Sequence, residues 1–166
     1  MRQRVAFEAL LELRISMRWP AVYLTGRTWF AGLPMRTDAR ALIPRSPIAE
    51  LIEQQFRPWI DPARVKRVLD LCTGGGCIAL AAAHYLPKAK VDGTDISDEA
   101  LELARENARD LRLSRRVRFV IIVVLVMPAN LRIPANITAL AAFTQTTRQR
   151  RRAASKVKAW TLVLTA

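Results

Sequence analysis

The apolar positions of this chain recur with different periods in different stretches, and each change of period predicts an element. Over residues 4–17, Val5, Leu10, Leu11, Leu13 and Ile15 lie among charges at near-helical spacing, and Pro20 marks the stop. The expectation is one amphipathic helix that docks on a core or belongs to a longer helical N-terminal region. Residues 21–43 alternate short apolar runs with Gly26, Gly32 and Pro34, the pattern of a small β-hairpin with its aromatic residues, Trp29 and Phe30, packed as core. Pro44-Arg45-Ser46-Pro47 reads as a rigid extended turn. Ile48 to Phe56, with Ile60, then reads as a helix beginning near Pro47, where a proline loses no hydrogen bond and Glu50 complements the helix dipole.

From Arg67 the pattern changes. Val68 and Leu69 end an apolar run suited to a buried parallel strand, Asp70 closes it, and Gly74, Gly75 and Gly76 follow. Cys77 to Tyr85 continues as a helix of small residues that can lie close to a sheet, and Pro87 ends it. Lys90 to Asp95 reads as a second parallel strand. Ser97 is a good N-cap, and Asp98 and Glu99 load the first turn before the apolar pattern of Ala100, Leu101, Leu103, Ala104 and Ala108. Arg116 to Val126 is a third strand with a long apolar tail. Strand and helix in alternation predict an α/β fold with a parallel sheet.

Length and charge add two points. A chain of 166 residues with 51% hydrophobic content is one domain's worth and can bury a core. Its formal charge of +13 favours a polyanionic neighbourhood such as rRNA, although charge governs encounter rather than fold. Residues 1–120 hold 20 basic and 14 acidic side chains, whereas residues 121–166 hold 7 basic and no acidic ones. Cys72 and Cys77, with His84 as the lone imidazole, do not make a metal set or a disulfide, and read as two small buried thiols of a reducing cytosol. The longest apolar run, Phe119 to Met127, is under half of the roughly 20 residues a membrane span needs. A soluble cytoplasmic protein without metal or membrane is the expectation.

Candidate chemistry centres on the glycines. Gly74, Gly75 and Gly76 can take positive φ and let backbone approach a ligand where a helix N-terminus offers free N–H groups. Gly74-x-Gly76-x-x-Ala79 fits the dinucleotide fingerprint G-x-G-x-x-G/A, which alone is weak. The better fit is S-adenosylmethionine, since Asp70 stands immediately before the glycines, where methyltransferases of this fold carry an acid. That carboxylate suits the amino end of a methionine moiety and would repel a pyrophosphate. Asp95, 19 residues after Gly76 at the carboxyl end of the second strand, suits ribose hydroxyls. Arg45 and Ser46, at the mouth of a helix, suit a polar substrate.

Taken together, AVYLTGRTWFAGL, ALIPRSPIAELIEQQF, VLDLCTGGGCIALA and VDGTDISDEALELARENA resemble the glutamine side-chain methyltransferases that modify translation proteins. Within that family PRSPIAELI and Cys72 resemble the PrmB branch, which methylates the N5 amide of a glutamine in a large-subunit ribosomal protein. The resemblance implies a Rossmann-like class I methyltransferase fold using S-adenosylmethionine. It implies cofactor contacts from Asp70, Cys72, Thr73, Gly74, Gly76, Asp95 and Ile96, with Arg45 and Ser46 on the substrate side.

The resemblance runs from about Arg4 to Val120. The family's Asn-Pro-Pro-Tyr motif, which holds the substrate amide, has no counterpart, because Asn130 and Asn136 follow Pro-Ala. No catalytic residue is therefore assigned. A shifted reading frame after Val120 would account for the acid-free tail and its RQRRR segment at 148–152. The expected organisation is an N-terminal helix, hairpin and PRSP segment over 1–60, a cofactor-binding half-domain of about three parallel strands over 61–126, and a basic tail outside the family pattern, with disorder open, over 127–166. The leading function is S-adenosylmethionine-dependent protein glutamine methylation, impaired in this chain. A non-catalytic cofactor- or RNA-binding remnant is the alternative, and an NAD-dependent oxidoreductase stands third.

Overall fold

The computed structural model describes residues 2–121 and 160–165. The chain opens with helix α1 (Arg2–Ser16) and a short α2 (Ala21–Thr25), followed by the antiparallel hairpin β1 (Arg27–Phe30) and β2 (Leu33–Arg36). Helix α3 (Ile48–Glu53) and a 3-10 turn at Pro62–Arg64 lead into β3 (Val65–Leu71), α4 (Cys77–Tyr85), β4 (Lys90–Asp95), α5 (Asp98–Asp110) and β5 (Val117–Ile121). Strand β6 (Trp160–Thr165) completes the set.

The central sheet has the order β5-β4-β3-β6, and every neighbouring pair in it is parallel. Numbered along the chain as first to fourth sheet strands, that order is 3-2-1-4. The direction of winding therefore reverses between β3 and β6, and in open parallel sheets ligands bind outside the strands' carboxyl ends at such a reversal. The glycine loop leaves the carboxyl end of β3. Three parallel strands are where the sequence puts them, and β6 lies on the flank of β3 opposite β4. The rest of the sequence's long third strand and of its basic tail falls outside the described residues.

Small residues decide how close the layers come. Ala79, Ala81, Ala82 and Ala83 of α4 are fully buried, so the helix backbone sits close on the sheet as their size allows. Phe30, Leu33, Met35 and Ile52 from the N-terminal elements enter the same core as Val68, Val91 and Val117 of the sheet. The hairpin turn is held at positive φ by Ala31 and Gly32, the geometry that matches strand twist in a two-residue hairpin. Tyr85 Oη fastens it to α4 by donating to the Ala31 carbonyl at 3.2 Å.

Several sequence expectations change. The N-terminal helix forms, but it is not amphipathic in the docking sense. Val5, Phe7, Leu11, Leu13 and Ile15 are all exposed, because at 3.6 residues per turn their positions fall on different sides of the helix. The hairpin is narrower than 21–43, since Ala21–Thr25 is helical and Gly26 ends that turn in the left-handed region. Trp29 is 69% exposed while Phe30 is buried, as alternation along a strand requires. Helix α3 stops at Glu53 because Gln55 and Phe56 take positive φ. Cys72 is exposed rather than buried, since it lies past the end of β3 with φ 57.

Candidate functional site

Strand β3 delivers Asp70 to the floor of the glycine loop and buries it completely. Its Oδ2 accepts from Thr73 Oγ1 at 2.5 Å and from the Ala79 amide at 3.0 Å, tying the start of the loop to the first turn of α4. Its Oδ1 is the buried side-chain oxygen or nitrogen without a partner among the described residues. Burial, assisted by the nearby charge of Asp95, pushes the Asp70 carboxyl up to about 7, against the pull of the Thr73 and Ala79 hydrogen bonds.

The loop itself is held from three further sides. Asp95 Oδ2 accepts from the Gly74 amide at 2.8 Å and Asp95 Oδ1 from the Ser97 amide at 3.1 Å, so one carboxylate joins the loop to the start of α5. The Thr73 amide donates to the Thr94 carbonyl at 2.9 Å. Asn107 of α5, 2% exposed, donates from Nδ2 to the Gly75 carbonyl at 2.9 Å. At Gly76 only glycine fits: φ is +81, and an added Cβ would lie 2.9 Å from Ala104 Cβ.

The predicted cofactor residues thus come together around one turn, in two roles. Asp70 and Thr73 turn inward and bond each other, so they shape the loop from below. Cys72 is exposed, Asp95 is half-buried and Ile96 is 69% exposed, so these stand at the accessible rim with the backbone of Gly74 and Gly76. Cys77 is half-buried and its thiol is pushed up to about 12, chiefly by burial and then by Asp70, which leaves it no nucleophile. Arg45 is exposed, and Ser46 Oγ makes a long 3.4 Å contact with the Ile48 amide at the start of α3. Among the described residues, no hydrogen bond ties either of them to the loop.

Sequence reasoning missed Asn107 and the segment over the loop. Ala41 lies against Gly74 and Gly75, where added Cβ atoms would come within 3.8 and 3.7 Å of its own. Tyr23 Oη holds that segment by donating to the Ala41 carbonyl at 2.8 Å. Asn107 carried a signal, for it is the polar member of the series Ala100, Leu103, Ala104, Asn107 and Ala108 on the buried face of α5. The position of Ala41 had none.

Among the described residues no group of three or more His, Cys, Asp and Glu side chains could hold a metal, and no helix is long and apolar enough to cross a membrane.

Known proteins bear on this geometry. Residues 63–132 match the family described as a methyltransferase domain. The ribosomal protein uL3 glutamine methyltransferase of Xanthomonas campestris is 63% identical over 99 residues, which are 60% of this chain and 32% of that protein. The protein of the same name from Bordetella pertussis is 46% identical over 109 residues, 65% of this chain and 37% of its own length. The chain therefore spans about a third of the length of these relatives. Among solved structures, the N-terminal domain of human METTL16 in complex with SAH is 24% identical, with a TM-score of 0.45 over 61% of this chain and 42% of that one. With the sheet order and the glycine loop beside them, residues 63–132 are similar to the methyltransferase-domain family, and 60 to 65% of the chain is similar to ribosomal protein uL3 glutamine methyltransferases.

Proposed function

We propose that this chain carries the S-adenosylmethionine-binding half of a cytoplasmic methyltransferase whose substrate is a glutamine side-chain amide in a large-subunit ribosomal protein. The observation that carries the reading is the acidic glycine loop at the sheet's winding reversal. Its segments 70–76 and 94–96 contain Asp70 and Asp95 and no Lys or Arg, a charge that suits a cationic ligand and opposes a pyrophosphate. The buried Oδ1 of Asp70 has no partner among the described residues, and the carboxylate beneath the loop favours an α-ammonium group above it.

The division of labour follows from side-chain placement. Asp95 accepts from the ribose hydroxyls with the lone pairs that Gly74 and Ser97 leave free, Ile96 offers an apolar edge to the adenine, and Gly74, Gly76 and Cys72 line the methionine side through their backbone. When bound, the cofactor supplies a methyl group made electrophilic by its sulfonium. What a protein adds to such a transfer is orientation of the amide nitrogen and exclusion of water. Arg45 and Ser46 are the proposed substrate contacts, and the basic surface is the proposed contact with rRNA.

Calorimetry on the full chain tests the reading. It expects heat with S-adenosylmethionine and none with NAD, and the reverse result would overturn it. Asp95→Ala is expected to weaken cofactor binding by about 30-fold, from the loss of charge-assisted hydrogen bonds. Because Asn130 and Asn136 do not stand in an Asn-Pro-Pro-Tyr motif, the second reading is a cofactor binder without turnover. Transfer of radiolabelled methyl to ribosomal protein separates the two. A rate orders of magnitude below that of a full-length relative supports the second reading, since orientation alone contributes factors of that size.

A further inference from the structure

We propose that Asn107 is a positioning residue that couples the glycine loop to the N-terminal hairpin, so that the loop holds its ligand well only while the hairpin is docked. The inference rests on the cofactor reading above and extends it to regulation of that site.

Asn107 is buried in α5, yet among the described residues its carboxamide hydrogen-bonds to backbone outside α5. Oδ1 accepts from the Arg36 amide at 2.7 Å, and Nδ2 donates to the Arg36 carbonyl at 3.2 Å and to the Gly75 carbonyl at 2.9 Å. The amide thus pairs with the last residue of β2 as a neighbouring strand would, and spends its remaining N–H on the middle of the loop. Its orientation is fixed, because the flipped amide would set an N–H against an N–H and one oxygen against two carbonyls. Hairpin and loop residues 71 and 32 positions away in sequence thus share one planar group.

The surroundings make that path stiff. Arg40 grips Asp38 on its own segment and Glu106, the neighbour of Asn107, at 3.0 Å. Gly75 is pressed between Ala41 and Leu103, whose Cδ2 would lie 3.3 Å from an added Cβ. If the hairpin lifts, the Nδ2 donor loses the two fixed points that aim it at Gly75, and the half-buried Gly75 carbonyl loses that donor. A hairpin held down, by contrast, pre-sets the loop before ligand arrives, which removes an ordering cost from binding.

Hydrogen exchange and calorimetry on the full chain test the coupling. Asn107→Ala is expected to weaken S-adenosylmethionine binding about 10-fold and to speed exchange of both the Arg36 and the Gly74 amides, in line with the loss of one or two buried hydrogen bonds. Asp110→Asn removes the exposed Arg36 ion pair on the same strand and helix, and should change affinity by no more than about twofold. Faster exchange at Arg36 alone, with unchanged affinity, would overturn the proposal and leave Asn107 a hairpin anchor. If Asn107→Ala does not fold, the wild-type chain decides. The Arg36 and Gly74 amides should then open with the same urea dependence, and S-adenosylmethionine should slow both, whereas slowing at Gly74 alone would overturn the coupling. If wild type binds no S-adenosylmethionine, the cofactor reading falls, while joint exchange at Arg36 and Gly74 still upholds the coupling.

Discussion

The missing side chain of Gly93 makes room that the Phe119 ring fills. A Cβ at that position would stand 2.7 Å from Cδ1 and Cε1 of Phe119 and 3.1 Å from Thr73 Oγ1, and the ring has neighbours on its other edge at Gly76. Gly93→Ala should therefore cost about 1–3 kcal/mol, as overpacking does, and Phe119→Leu in the same chain should recover part of it. Urea unfolding of the single and double variants checks this. Asp70 gives the second residue-scale expectation. Its carboxyl rises from an ordinary 3.8 to about 7, so between those values the folded state keeps a proton that the unfolded chain has released. Stability is then fullest below about pH 4, falls as pH rises toward 7 and levels off above it, by up to about 4 kcal/mol from this group. Asp70→Asn, which keeps an acceptor for Thr73 and Ala79, should flatten that slope in melts run from pH 4 to 8.

Elements here are secured at their ends by side chains from other elements. Arg116, just before β5, donates to the Ala83 carbonyl at 2.7 Å, the Leu86 carbonyl at 2.9 Å and the Ala89 carbonyl at 2.7 Å. These are carbonyls at the end of α4 and in the turn after it, which the helix cannot satisfy internally, and a cation at that end also complements the dipole. Arg116→Ala should cost about 2–3 kcal/mol. Arg118→Ala, which breaks an exposed pair with Asp92, should cost under about 1 kcal/mol, and thermal unfolding of the two variants side by side tests the ranking. Helices α4 and α5 and strand β4 stand where the sequence put them because their signals are local: Gly76 before α4, Ser97 accepting from the Ala100 amide at 3.2 Å, and small or apolar residues at the right period. Helix α1 departs from expectation because its apolar residues have helical frequency without a common face. The role of Arg116 was illegible for a different reason, since its partners lie 27 to 33 residues away.

At the scale of the whole molecule, β6 closes a flank that would otherwise be exposed. Arg67 to Leu71 of β3 pair in parallel with Thr161 to Thr165, so β3 is central rather than an edge open to other chains. Successive N–H groups of a strand point to opposite sides, so of Leu162→Pro and Val163→Pro at least one removes a bond to β3. That variant should lose about 3 kcal/mol and aggregate, as light scattering and melting would report. The sequence by itself determined the parallel α/β layout, the glycine loop and the identity of its acids, because each is written in contiguous residues whose period, size and charge act locally. Only the tertiary structure decided that Asp70 and Thr73 face inward while Asp95 stands at the rim, that Asn107 joins loop to hairpin, and that β6 lies beside β3. Those outcomes depend on contacts between residues far apart in the chain, and burial and hydrogen-bond satisfaction choose among them only once the layers have packed.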